Sequence, residues 1–257
     1  MRRFIYDEPL TGFAVWSRRV ALLAIVVAGY AVLMLRSGMQ DWRGAVIIIF
    51  SLFLVACAGL LALIAMVRIW RHGFKGVGMA AQTLLLVGLM MLLPGFYVLR
   101  SLSLPVLNDV STDLETPPEF SRSRAALAAR EGRVPPVVDA ATREKQRLGY
   151  PAIVPILLDQ PADEAFEMAR KAANAIGWQI IETSPPGGRS GAGRIEAVQR
   201  TTFLRFTDDI TIRIRPRAEG TLIDVRSASR IGRHDFGANA SRISRFAAEI
   251  MAQENEK

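Results

Sequence analysis

The chain has 257 residues, of which 51% are hydrophobic and 22% are charged, and this composition excludes an intrinsically disordered protein. Its net charge of +8 is uneven, since residues 1–99 carry +6 and residues 100–257 carry +2. Because the basic excess lies among the apolar runs, the charge argues against a nucleic-acid partner. The single cysteine, Cys57, lies inside an apolar run, which excludes an intramolecular disulfide.

Three apolar runs predict transmembrane helices at about residues 20–35, 45–67 and 77–99. The second and third runs have 23 residues each without a charge, which is enough to cross a bilayer with some tilt. The first run is shorter, but its flanking arginines can snorkel to the interface. No small-x-small cleavage site follows it, so we interpret it as an uncleaved helix and not as a signal peptide.

The basic residues that flank these runs predict an orientation. Seven Lys and Arg lie on the side of the N-terminus and three lie on the opposite side. The positive-inside rule then places residues 1–19 in the cytoplasm and exports the chain after residue 99. In a Gram-negative cell, this predicts a multi-pass inner-membrane protein with a periplasmic C-terminal domain. No Asp, Glu, Lys, Arg or His lies within the three runs, which argues against an ion or proton pathway.

The exported part divides into a tether and a domain. Scattered prolines in residues 100–153 predict an extended tether packed on the domain, with helix-favouring composition only at residues 123–131. Residues 154–252 have a globular pattern, and residues 253–257 form a polar tail.

Helical and strand-like segments follow one another within residues 154–252. Pro161 and Gly177 suit the start and the end of a helix, and the last helix covers about residues 240–252. Between them, Ile210, Ile212 and Ile214 alternate with polar residues in the manner of a half-buried strand. The predicted fold is an α+β exported domain, an antiparallel sheet with two helices on one face. Its predicted strands cover residues 178–183, 194–206, 209–217 and 221–230.

Recognisable catalytic motifs are absent from the sequence. The glycine-rich loop at residues 187–193 matches neither phosphate-binding pattern, and two isolated histidines do not make a zinc site. Ser227, Ser229, His234 and Asp235 contain the residue types of a nucleophile and its base, but such a group more often caps a helix. The catalytic residues stay unknown, and the sequence predicts neither a metal site nor a cofactor.

An arginine-rich face is the most informative feature of the domain. Arg213, Arg226 and Arg230 lie on strands predicted to be neighbours, and guanidinium groups bind anions through paired hydrogen bonds. In the alternative interpretation, this face is neutralised by Asp208, Asp209, Asp224 and Asp235. The candidate ligand-binding residues are Arg213, Arg226, Arg230, Asp235, Arg242, Asp208 and Asp209.

Several short segments resemble a known family. Residues 107–113 (LNDVSTD), 205–210 (RFTDDI) and above all 224–239 (DVRSASRIGRHDFGAN) are similar to the bacterial and plastid family catalogued as domain of unknown function 1499. The resemblance covers roughly residues 104–252. It implies a domain identity and a tether packed as part of the domain, and it implies no reaction.

These features together favour a membrane-anchored, non-enzymatic binding or accessory factor for an envelope or membrane-protein component. Its expected partners are the lipid bilayer and either another membrane or envelope protein or an anionic ligand. The alternative is an envelope enzyme that acts on an anionic or lipid-linked substrate through aspartates and arginines. Two carboxylates that converge in a pocket with perturbed acidity would favour the enzyme.

Overall fold

A computed structural model of the chain describes residues 9–37, 42–187, 191–201 and 205–255. The chain forms two compact units, Met1–Leu99 and Arg100–Lys257. The boundary between these units falls at the end of the third predicted membrane span.

Within the described residues, three helices are long and apolar enough to cross a membrane, as predicted. They are α1 (Gly12–Arg36), α2 (Trp42–His72) and α3 (Val77–Ser103). Each helix contains one predicted span and extends beyond it, because the polar flanking residues also adopt helical geometry. The first unit packs on small side chains, since Ala14, Ala65 and Ala80 are fully buried in one cluster. Small residues allow helix backbones to approach closely.

A six-stranded antiparallel sheet forms the centre of the described part of the second unit. The strands are β1 (Asp109–Ser111), β2 (Ile156–Leu158), β3 (Gln179–Ser184), β4 (Gly193–Arg200), β5 (Thr207–Arg217) and β6 (Gly220–Ser229). Their order is β1-β6-β5-β4-β3, and β2 pairs with β6 near Gly220, at the end of β6 remote from β1.

Two helices cover one face of this sheet, as the sequence predicts. Helices α6 (Ala162–Ala175) and α7 (Ala238–Asn255) pack on the isoleucine face of β5. Trp178 stacks on Phe246 at 5.0 Å between ring centroids, and Ile212 is fully buried in the same core. This apolar layer is the hydrophobic core of the domain.

Residues 100–153, predicted as an extended tether, contain more regular structure than expected. Besides β1, they form α4 (Arg124–Ala129) inside the predicted helical stretch and α5 (Ala140–Gly149), which the sequence analysis missed. The side-chain amide of Gln146 in α5 donates to the carbonyl oxygen of Ser111 and accepts from its amide, at 2.6 and 3.0 Å. A buried glutamine thus joins α5 to the sheet edge, and apolar periodicity does not reveal such a contact. At the other end, α7 continues into the predicted polar tail.

Candidate functional site: a cavity beside a buried polar layer

The second face of the sheet is polar and almost completely buried. Glu196, Thr211 and Asp224 are fully buried, and Arg226 is 4% exposed. These residues alternate with the core residues along β4, β5 and β6, so they point away from α6 and α7. We call this face of the sheet, together with the residues that pack on it, the polar layer. It consists of Asp109, Asp113, Phe120, Arg130, Glu196, Asp209, Thr211, Arg213, Arg215, Asp224, Arg226 and Arg230.

Arg226 and Asp109 form the ion pair at the middle of the polar layer. Two guanidinium nitrogens of Arg226 donate to the two carboxylate oxygens of Asp109, at 3.0 and 2.7 Å. The same guanidinium donates to the carbonyl oxygens of Pro118 and Pro136, at 3.3 and 2.6 Å. One arginine on β6 therefore fixes β1 and two stretches of the chain between β1 and α5.

Arg130 and Glu196 form a second buried pair, at 2.7 Å. The other Glu196 oxygen accepts from the amide of Ser121 at 2.8 Å and from the hydroxyl of Thr211 at 2.9 Å. The Phe120 ring lies between Arg130 and Arg226, with the guanidinium carbons 5.3 and 5.0 Å from its centroid. These cation–π contacts add attraction between the ring and both guanidinium groups.

Further arginines of the layer also have carboxylate partners. Arg230 donates to both oxygens of Asp209 at 2.7 to 3.1 Å and to the carbonyl oxygen of Ala129 at 2.9 Å. Arg213 contacts Asp113 and Asp224, each at 3.0 Å. The arginine-rich face is thus paired with carboxylates of the domain. Asp209 and Asp224 are those of the alternative interpretation, whereas Asp109 and Asp113 take the places that it gave to Asp208 and Asp235.

Burial perturbs the acidity of this layer. Desolvation raises the pKa of the carboxyl groups of Asp109, Glu196, Asp209 and Asp224, and their arginine partners act against the rise. The charged forms of these acids therefore depend on their guanidinium partners.

The predicted site residues do not come together in one place. Arg213, Arg226, Arg230 and Asp209 belong to the polar layer, and the remaining three lie near α7 on the opposite face. There, Arg242 pairs with Asp208 at 2.5 Å and donates to Ser227 and Asn239. The Asp235 carboxylate accepts from the amides of Gly237 and Asn239, both at 2.8 Å, and so caps the start of α7.

The serine and histidine candidates have structural partners. The Ser227 hydroxyl donates to the side-chain oxygen of Asn239 at 2.7 Å, and His234 Nδ1 accepts from the amide of Phe236 at 3.2 Å. Neither contact joins a nucleophile to a base. Among the residues that the structure describes, no group of three or more His, Cys, Asp or Glu could hold a metal ion.

A cavity of about 480 Å³ opens beside the polar layer. Its floor contains Ala228, with Asp109 on one neighbouring strand and Asp209 on the other, both in register with Ala228. Since adjacent strands lie 4.7–4.9 Å apart, the backbones of the two aspartates are about 10 Å apart. The outer wall is the segment from Arg133 to Asp139, in which Val137 is 93% exposed.

The sequence patterns did not predict this cavity or most of the polar-layer residues beside it. Arg130, Glu196 and Asp109 are not among the seven candidate ligand-binding residues. Asp109 and Arg226 are 117 positions apart in the chain. One signal in the sequence indicated a buried polar layer, namely Glu196, a charged residue on the non-apolar side of a predicted strand.

The fold and the polar layer define a unit of three helices that are long and apolar enough to cross a membrane, followed by an α+β domain with an ion-paired sheet face. The chain belongs to the family described as "Protein of unknown function (DUF1499)", whose model matches residues 109–250, more than half of the chain. This match confirms the resemblance carried by the sequence segments. It also places β1 and α4 inside the family domain.

A search of curated proteins found no match. Among solved structures, the crystal structure of CalU16 from Micromonospora echinospora is similar, with 14% sequence identity. The similarity covers 40% of this chain and 76% of that chain, with a TM-score of 0.22. A score at this level carries no argument about fold or function.

Proposed function

We propose that this protein is a membrane-anchored, non-enzymatic binding or accessory factor. In this proposal, the three apolar helices hold it in the inner membrane with the N-terminus in the cytoplasm. The α+β domain lies on the periplasmic side and binds another membrane or envelope protein at the cavity over Ala228. The bilayer and this protein are its two partners.

The observation that carries the proposal is the contrast between the floor of the cavity and its wall. The floor carboxylates are engaged by guanidinium groups of the same domain, whereas the wall presents the exposed side chain of Val137. Val134 in the same wall is 37% exposed, so the wall carries two exposed valines. Apolar side chains grouped beside satisfied polar groups are typical of a contact surface for another molecule. Because valines and prolines make up five of the seven residues at 133–139, a segment of a partner protein fits this chemistry better than a free anion.

An enzyme is the second candidate, and one observation favours it. Asp109 and Asp209 line the same cavity, and burial raises the pKa of both carboxyl groups. A general acid or base, however, needs an oxygen that is available to a substrate. Both oxygens of each carboxylate accept from arginine, which supports a structural role for these acids.

Filling the cavity tests the proposed binding site. We expect the full-length protein to copurify a partner from native membranes, and Ala228→Leu to lose that partner while its melting temperature stays close to that of the wild type. Ala252→Leu is the matched control, because Ala252 is exposed on α7 beyond the other face of the sheet. Retention of the partner by Ala228→Leu, or no partner for the wild type, would contradict the proposal.

Reporter fusions test the proposed orientation. An alkaline phosphatase fused after Lys257 should be active, because the excess of basic flanking residues keeps the N-terminal side in the cytoplasm. A fluorescent protein that requires the cytoplasm to fold should stay dark at the same position. The reverse pattern would place the domain in the cytoplasm.

A further inference from the structure

The chain enters the second unit between two other segments. The amide of Asp235 donates to the carbonyl oxygen of Leu107 at 2.8 Å, and the Asn108 side chain donates to the carbonyl oxygen of Gly232 at 2.7 Å. On the other side, Gly149 at the end of α5 lies directly against the Pro105 ring. Residues 104–108 are therefore held between the end of α5 and the loop at residues 231–237.

Each of these three neighbouring segments exposes a large apolar side chain. Val106 is 54% exposed, Leu148 precedes the glycine that contacts Pro105 and is 77% exposed, and Ile231 is 38% exposed. Arg233, two residues after Ile231, is also exposed. We call Val106, Leu148, Ile231 and Arg233 the entry patch. Large apolar side chains grouped on a surface mark a contact with another molecule or with a membrane.

The entry patch begins at Val106, shortly after α3 in the chain, and this position indicates which surface covers it. Helix α3 has 27 residues, so it is about 40 Å long and matches the thickness of a bilayer including its headgroups. When α3 spans the bilayer, its last residue, Ser103, therefore lies at headgroup level. Val106 follows Ser103 by three residues, which is at most about 11 Å of extended chain. The patch thus lies within reach of the leaflet that α3 leaves.

We propose that the entry patch rests on this leaflet. Val106, Leu148 and Ile231 insert at the boundary between headgroups and acyl chains, and Arg233 lies at the level of the lipid phosphates. This contact requires only that α3 spans the bilayer, so it does not depend on which side the domain occupies or on the partner at the cavity.

Fluorescent labels on the full chain in vesicles test this contact. In a Cys57→Ser background, single cysteines replace Val106, Leu148 or Ile231 and carry an environment-sensitive dye. The vesicles contain phosphatidylcholine and phosphatidylglycerol, with or without a spin-labelled lipid. The control is Leu157→Cys, since Leu157 is 52% exposed and pairs with Leu222, about 24 Å along β6 from Ser229.

We expect blue-shifted emission and several-fold stronger quenching by the spin-labelled lipid at the three patch positions than at position 157. Water-like emission at the patch would overturn the proposal, as would equal quenching at all four positions. Labels that are shielded from water but not quenched by lipid would also overturn it, because a second protein surface would then cover the patch.

Discussion

The guanidinium group of Arg226 binds only partners inside the domain. It donates hydrogen bonds to the carboxylate of Asp109 and to the carbonyl oxygens of Pro118 and Pro136. The planar guanidinium suits this role because it donates in several fixed directions at once. At the scale of single residues, each charge of the polar layer is therefore neutralised by a neighbouring side chain of opposite charge. Loss of one partner leaves a buried charge, whereas loss of both partners does not.

The pair of Arg226 and Asp109 gives a direct prediction. Arg226→Ala should lower the free energy of unfolding by about 3–5 kcal/mol, because Asp109 is left buried without its partner. Arg226→Met combined with Asp109→Leu should recover much of that loss. Denaturation of the full-length protein in detergent measures both effects, with Arg122→Ala, an exposed arginine, as the control. An unchanged stability for Arg226→Ala would instead support a guanidinium reserved for an anionic ligand.

Gly220, in the turn between β5 and β6, gives a second prediction at this scale. Its φ is +121°, and a Cβ atom there would overlap the carbonyl oxygen of Leu158. Gly132 also has a positive φ, +77°, but a Cβ atom there would meet nothing within 4 Å. Gly132→Ala should cost about 1–2 kcal/mol from backbone conformation alone, and Gly220→Ala should cost clearly more. Equal losses of stability in thermal melts would show that the overlap with Leu158 does not determine the cost of Gly220→Ala.

At the scale of elements, the segment before β2 is one of the two layers that cover the sheet. β1 pairs with β6, and α4 ends at Arg130, which neutralises Glu196. The sheet thus has an apolar cover of two helices and a polar cover drawn from a stretch of chain rich in proline. A chain without the second cover keeps its apolar core but loses the partners of its buried charges.

Two fragments test this dependence. The fragment 104–257 should be soluble and should melt cooperatively, because it keeps both covers of the sheet. The fragment 155–257 should melt at a lower temperature or without cooperativity, since Arg226 and Glu196 lose Asp109 and Arg130. Equal melting temperatures would show that residues 104–154 act only as a spacer.

At the scale of the whole molecule, sequence patterns of short period were sufficient to predict the apolar parts of the structure. Continuous apolar runs predicted the three long helices, and the alternation of Ile210, Ile212 and Ile214 predicted the buried face of β5. The polar cover was beyond such patterns, because the ion pairs that join it to the sheet connect residues 66 to 117 positions apart and carry no periodic signal. Asp208 and Asp209 point to opposite faces because both belong to β5, but the predicted strand begins at residue 209 and so did not separate them.

We propose that the cavity over Ala228 binds the partner of this domain. A photo-crosslinking residue replaces Val137 in the full-length protein and is activated in native membranes. We expect a discrete crosslinked product from position 137, its loss when Ala228 is also replaced by Leu, and no such product from position 157. No product from position 137, or the same product from both positions, would show that the partner does not bind at the cavity.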